Sequence, residues 1–217
     1  MLEHIRARWT RAIRPIVRAL LRLGIRPDAV TWFGTVAVTI IALLCFPQGW
    51  LWQGTLAMLP VIFSDSLDGA MARESGCTSK WGAFLDSTLD RIADGAVLAG
   101  LALYFAGPGQ SRFGVALALG SLVFAQVTSY SKARGETVGV AVRVGLVGRA
   151  DRLVIGLTGT LLTGLGVRPA LLIALTLLLI GGAFTVAQRF WVVYRATHSE
   201  LGDDTIPDCG PTPIGPA

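Results

Sequence analysis

Five aspartates, Asp65, Asp68, Asp86, Asp90 and Asp94, fall within 30 residues of this chain. Asp65 and Asp68 stand at i, i+3 and Asp86 and Asp90 at i, i+4, so each pair shares one face if its segment is helical. Four carboxylates brought face to face repel one another unless cations lie between them. An oxygen-only set suits hard divalent ions such as Mg²⁺, with Mn²⁺ as the alternative. Two ions held roughly 3.5 to 4 Å apart would serve phosphoryl transfer. Gly69, directly after Asp68, removes a side chain where a phosphate or ribose has to approach, and Gly82 does the same across the cleft. Arg73, one turn beyond Gly69, supplies fixed positive charge for a diphosphate. Thr78 and Ser79 precede the next helix, where Ser79 caps its first turn or donates to a bound phosphate.

These residues are set in a chain of 217 residues that is 53% hydrophobic and only 15% charged, with a mean hydropathy of +0.60. That composition excludes a soluble enzyme, a nucleic-acid binder and a disulfide-stapled secreted module, and it predicts an all-α integral membrane protein. The stretches free of charge are long: 36 residues between Asp28 and Asp65, 17 between Asp94 and Arg112, and 20 between Arg168 and Arg189. A bilayer core takes about 20 apolar residues per helix. With the Pro and Gly breaks, six membrane helices are predicted at 29–46, 51–72, 81–105, 113–132, 150–165 and 169–194. The short loop after the second makes it and the third antiparallel neighbours, so that the two aspartate faces can meet. Ionisable groups inside such helices cost about 2.5 to 3.5 kcal/mol each at the helix centre, so these aspartates call for a function.

Six crossings leave both termini on one side. Of the 19 Lys and Arg, only Arg112 and Arg168 fall on the side of the tight, nearly neutral turns. The positive-inside rule therefore places the polar loops, both termini and the aspartates at the cytoplasm. No signal-peptide pattern precedes the first run, so no removed leader is expected. Residues 1–27 carry seven arginines, with Arg11, Arg14, Arg18 and Arg22 on one helical face and Trp9, Ile13, Ile16, Leu20 and Leu23 on the other. This predicts a basic amphipathic helix in the interface, opened or kinked at Pro15; a merely solvated basic leader is the alternative. Residues 28–198 form the six-helix catalytic unit. Residues 199–217, rich in Pro, Gly and Asp, read as a disordered tail. Cys45, Cys77 and Cys209 form no C-x-x-C pair.

The string Asp65-x2-Asp68-Gly69-x2-Ala72-Arg73-x8-Gly82-x3-Asp86-x3-Asp90 resembles, at all eight fixed positions, the signature of the CDP-alcohol phosphotransferases. The six membrane helices, the basic N-terminal helix and the Pro27-x3-Thr31 entry to the first run fit the same family. The resemblance implies transfer of a phosphatidyl-type group from a CDP-linked donor to an alcohol, with release of CMP. Asp65, Asp68, Asp86 and Asp90 would then hold two metal ions, Asp90 would also accept the hydroxyl proton, and the segment Asp28, Ala29, Val30 and Thr31 would cradle CDP-diacylglycerol with Gly69, Arg73 and Ser79. Many members carry Asn where this chain has Asp28. The family also implies a homodimer in the bacterial plasma membrane. Asp94 lies outside the signature and is expected in a salt bridge with Arg91 or a loop arginine.

Lys132, Arg152 and Arg189 lie on three different predicted helices near the cytoplasmic side, so they could converge on one anion, with Arg195 as the alternative third ligand. The same residues would also serve positive-inside anchoring with no ligand at all, a reading that weighs more for Arg143 and Arg149. The strings 129–136 and 148–152, with Gln188-Arg189, resemble the actinobacterial branch of the family whose acceptor is inositol phosphate. The branch that accepts glycerol phosphate has a similar loop. From other classes, a membrane prenyltransferase uses aspartates and Mg²⁺ but lacks the Gly-x2-Ala-Arg element, and a divalent-cation channel or transporter places carboxylates in helices without chemistry.

Overall fold

The computed structural model describes residues 26–74 and 79–200, with the side chains of 63–70, 72–74 and 199–200 not among those described. Six long helices follow one another: α1 Pro27–Cys45, α2 Leu51–Glu74, α3 Lys80–Ala106, α4 Arg112–Thr137, α5 Arg149–Gly164 and α6 Ala170–Glu200, with no strand among the described residues. Each lies on one of the six apolar runs, with limits displaced by a few residues. The largest departures are at the ends of α4 and α6, which run on to Thr137 and Glu200. In α4 the physical reason is Gly135: it is buried, and a Cβ there would strike Val142, so the glycine keeps the helix compatible with a connection that folds back over it. Of the predicted N-terminal interfacial helix and the predicted tail, residues 1–25 and 201–217 lie outside the described residues.

Local chemistry sets the helix ends. Pro27 opens α1 with its φ already helical, and Asp28 in the first turn opposes the positive end of the dipole. Ser79 caps α3 by accepting from the Gly82 amide at 2.9 Å, and Ser111 caps α4 by accepting from the Gly114 amide at 3.0 Å. Gly49, at φ 82°, closes the short 3₁₀ turn Phe46–Gln48 between α1 and α2 in a conformation that favours glycine.

Three segments, Pro27–Gln48, Arg112–Thr137 and Ala170–His198, are long and apolar enough to cross a membrane. In α2, Leu51–Ile62 is a shorter apolar stretch. The rest of α2, the first half of α3 and the short α5 are more densely charged, while the charges of α4 and α6 lie near their ends or in the last third of α6. The packing is inside-out relative to a soluble bundle. On α1 the stripe Thr31, Thr35, Val38 and Ala42 is buried, while Trp32, Phe33, Val36, Ile40 and Leu44 are exposed, as suits a lipid-facing surface.

α1 packs against α2 and α3, α3 against α4, α4 and α5 against α6, and α2 against α5, which closes the bundle. The core between them holds Phe46, Leu51, Met58, Leu101, Ala118, Leu171 and Leu175. Polar links join helices where lipid offers no partner: Ser121 Oγ donates to the Leu175 carbonyl at 3.1 Å, and Gln126 Nε2 donates to the Arg91 carbonyl at 3.1 Å. Close approach of α1 and α3 depends on Gly100, where a Cβ would run into the Ala42 backbone carbonyl. Gly100→Val is therefore expected to lower stability by about 1 to 3 kcal/mol, read as a lower thermal midpoint in detergent. An unchanged midpoint would show that the two backbones separate without cost.

Candidate active site

The N-termini of α1 and α3 lie side by side. A Cβ on Gly82 would sit 3.3 Å from Ser79 Oγ and 3.7 Å from Asp28 Oδ1, so the missing side chain keeps open the place where these two residues meet. Two helix N-termini, each the positive end of its helix dipole, make this corner suited to an anion. The Thr31 hydroxyl donates to the Pro27 carbonyl at 3.2 Å and is buried, so this contact uses it within its own helix.

From this corner a ladder of carboxylates descends α3, one turn apart. Asp86 is exposed, Asp90 is 13% exposed and Asp94 only 6%. Asp90 and Asp94 line a cavity with Gly34, Thr35, Val61 and Arg149, where α1, α2, α3 and α5 converge. The two arginines of the first turn of α5 reach into this ladder. Arg149 Nη2 stands 2.6 Å from Asp90 Oδ1, with its Nε 3.7 Å from Asp94 Oδ1. Arg152 Nη2 donates to Asp94 Oδ2 at 3.1 Å, and Arg91 Nη2 approaches the same oxygen at 3.5 Å. Asp94 thus forms the expected ion pair with Arg91, and it pairs in addition with both arginines that open α5. Pairing is what makes its burial tolerable, since removing one partner of a buried ion pair costs about 3 to 5 kcal/mol.

Arg149 is the participant that sequence reasoning undervalued, as a topology anchor. Its partner Asp90 is 59 positions away, and no local periodicity links them. The only local signal was two arginines at the N-terminal end of a predicted helix, the end where cations are disfavoured.

Asp65, Asp68, Gly69 and Arg73 lie in the second half of α2, and their side chains are outside those described, as is all of Thr78. Among the described residues no group of three or more His, Cys, Asp and Glu assembles, so Asp86 and Asp90 represent the predicted set there. The donors present fit a hard divalent cation. Neither His nor Cys lines the cavity, and Asp90 already draws a cation from another helix.

The three predicted acceptor ligands are placed differently from one another. Arg152 is nearly buried against Asp94, and Lys132 is exposed on α4. Arg189 is buried. Its Nε donates to the Val144 carbonyl at 3.1 Å and its Nη1 to the carbonyl of Thr128, one turn before Lys132. Thr185, one turn before Arg189, accepts from the Val147 amide at 3.2 Å. Thr185 and Arg189 therefore staple the connection that leads into α5 and so set where Arg149 and Arg152 begin. Arg195 lies over the Trp191 ring at 5.0 Å, and Arg143 is exposed.

Acidic and basic residues thus gather where α1, α2, α3 and α5 converge. The chain belongs to the CDP-alcohol phosphatidyltransferase family, whose model matches residues 25–187. It is 51% identical over 207 residues to the phosphatidylinositol phosphate synthase of Cutibacterium acnes, covering 92% of this chain and 100% of that one. The synthase of the same name from Streptomyces avermitilis is 45% identical, over 89% of this chain and 82% of that one. Among solved structures, the Mycobacterium tuberculosis phosphatidylinositol phosphate synthase with CDP-DAG bound matches at a TM-score of 0.82 and 42% identity, covering 85% of this chain and 94% of that one. The same enzyme in complex with manganese and citrate matches at 0.78, covering 83% and 88%.

Proposed function

We propose that this chain is a phosphatidylinositol phosphate synthase of the bacterial plasma membrane. It transfers the phosphatidyl group of CDP-diacylglycerol to a hydroxyl of inositol phosphate and releases CMP. The observation that carries the acceptor assignment is the pair of arginines at the start of α5, turned onto Asp90 and Asp94. They hold cationic charge beside the reacting carboxylate, on the side away from the donor corner at Gly82. The relatives named for the same activity support the reading.

In this reading Asp28, Ala29, Val30 and Thr31 cradle the donor nucleotide with Gly69, Arg73 and Ser79, helped by the helix N-termini at that corner. Asp65, Asp68, Asp86 and Asp90 hold two divalent cations, Mg²⁺ or Mn²⁺. When bound, such cations supply charge neutralisation of the diphosphate and polarise the phosphoryl group. Asp90 accepts the proton of the acceptor hydroxyl while that oxygen bonds to the phosphorus bearing diacylglycerol. The bond from this phosphorus to CMP breaks, and CMP leaves with the electron pair. Lys132, Arg152 and Arg189 present positive charge to the acceptor's phosphate, Arg189 while also holding the connection into α5. The six helices all cross the membrane, with the polar loops and termini in the cytoplasm. Residues 28–198 carry the catalytic unit, and the protein is a homodimer. The distribution of Lys and Arg, with only Arg112 and Arg168 on the opposite side, supports that orientation.

The test is CMP release by purified protein from CDP-diacylglycerol, given inositol phosphate, glycerol phosphate, inositol or serine. Inositol phosphate is expected to be used best. Preference for glycerol phosphate would move the protein to the sister activity, and no CMP with any acceptor would favour a prenyltransferase or cation transporter. Arg152→Gln should raise the acceptor KM more than about tenfold, the loss of a charge-assisted hydrogen bond of roughly 1.5 to 3 kcal/mol. The donor KM should hardly move, and an unchanged acceptor KM would return Arg152 to a purely structural role.

A further inference from the structure

We propose that Asp94 is a positioning residue for the acceptor site: it holds Arg149 and Arg152 where they meet the acceptor's phosphate, without itself touching substrate or metal. The proposal rests on the reading that the acceptor carries a phosphate.

Arg149 and Arg152 occupy the first turn of α5, three positions apart on one face. Both features of that placement are unfavourable by themselves. The N-terminal turn is the positive end of the helix dipole, and like charges at i, i+3 repel. Placing an arginine there has little stabilising value for the helix. A local rule broken twice in one turn marks a place where another requirement prevails. The compensating charge comes from α3. Asp94, 6% exposed, engages Arg149 at 3.7 Å through one carboxylate oxygen and Arg152 at 3.1 Å through the other. Arg91, from the same helix as Asp94, adds a third guanidinium at 3.5 Å.

The geometry also says what these guanidinium groups are turned toward. Asp94 lines two cavities. One contains Asp90 and Arg149 and opens among α1, α2, α3 and α5. The other contains Arg152 with Leu153, Gly156 and Leu178 and lies among α3, α5 and α6. Asp94 stands where the two cavities adjoin, with an arginine drawn into each. Among the described residues, three guanidinium groups, those of Arg91, Arg149 and Arg152, converge on the one carboxylate of Asp94. Nε of Arg91 and Nε of Arg152 are buried there without a hydrogen-bond partner. A planar guanidinium held by one edge presents its other donors in a fixed direction, which suits it to a tetrahedral oxyanion. Asp94 is thus to the acceptor arginines what a second carboxylate is to a metal-bound histidine: it sets orientation and leaves the binding to others.

The test compares full-length wild type, Asp94→Asn and Asp94→Glu with CDP-diacylglycerol and inositol phosphate in detergent micelles. Asp94→Asn should raise the KM for inositol phosphate roughly tenfold or more, while the donor KM and the Mn²⁺ concentration for half-maximal activity stay within about twofold. Asp94→Glu keeps the charge but moves it outward by one methylene, and should show the same acceptor-specific defect in smaller degree. An unchanged acceptor KM, or donor and acceptor KM rising together with a fallen thermal midpoint, would overturn the proposal and leave Asp94 a stabilising ion pair. If Asp94→Asn does not accumulate as folded protein, the split between the two KM values in Asp94→Glu decides. Wild type that uses glycerol phosphate instead would sink the inositol assignment alone, and the KM split is then scored on that acceptor. Wild type that uses only an uncharged alcohol would overturn both.

Discussion

Asp90→Asn is expected to reduce kcat by roughly 10²- to 10⁴-fold, the range for losing a positioned general base, with a smaller change in donor KM. The amide has the size of the carboxylate but cannot take the proton from the attacking hydroxyl. It also answers a cation less well, so the concentration of metal needed for half-maximal activity should rise. One complication is foreseeable from the structure. Asp90 is the 2.6 Å partner of Arg149, and removing its charge unbalances a partly buried guanidinium. Arg149 still has Asp94 at 3.7 Å, so the protein should remain folded, with a modest fall in thermal midpoint. Single-turnover measurements separate the chemical step from binding. If the folded variant turned over at the wild-type rate, the proton would be going to another group or to solvent.

Asp86→Asn, and equally Asp65→Asn or Asp68→Asn, should reduce activity to background by removing one ligand of the ions that neutralise the diphosphate. Chelation of wild type with EDTA should do the same, reversed by excess Mg²⁺ or Mn²⁺. For Asp86 the readout need not be activity alone. The side chain is exposed, so its replacement should change metal-free stability by only about 0.5 kcal/mol. Wild type should gain stability from metal by mass action, about 2.7 kcal/mol at a hundredfold excess over Kd. The variant should lose most of that gain. A metal-induced rise in thermal midpoint that survives Asp86→Asn would place the cation elsewhere, and full activity in EDTA would remove it from the mechanism.

How much of this was legible beforehand varies with sequence distance. The helices α1, α2, α3 and α5 begin and end close to the predicted limits because apolar run length and Pro or Gly breaks act locally. The shared face of Asp86 and Asp90 follows from helical periodicity alone. The cap at Ser79, seen accepting from Gly82, follows from a serine standing just before a helix start. The extension of α4 to Thr137 was not legible, because it depends on Gly135 admitting Val142 from the connection beyond. The sequence offered Arg91 as a partner of Asp94 since the two are one turn apart, but it could only say that a loop arginine was the alternative.

By itself the sequence determined that this is a helical chain made for a bilayer, where its helices lie, and that its carboxylates repeat at helical spacing in a pattern that admits phosphoryl-transfer chemistry. These are consequences of composition and of the 3.6-residue turn, which hold whatever packs on whatever. Tertiary structure decided the electrostatic pairings. Arg149 on Asp90 and Arg152 on Asp94 span 59 and 58 positions, and Arg189 reaches Thr128 and Val144 across 61 and 45. At the level of sequence each is one cation among many in a basic chain. Which carboxylate or carbonyl it meets is set by the order in which six helices pack, since in a low-dielectric interior a buried guanidinium goes to whichever acceptor the neighbouring helix presents.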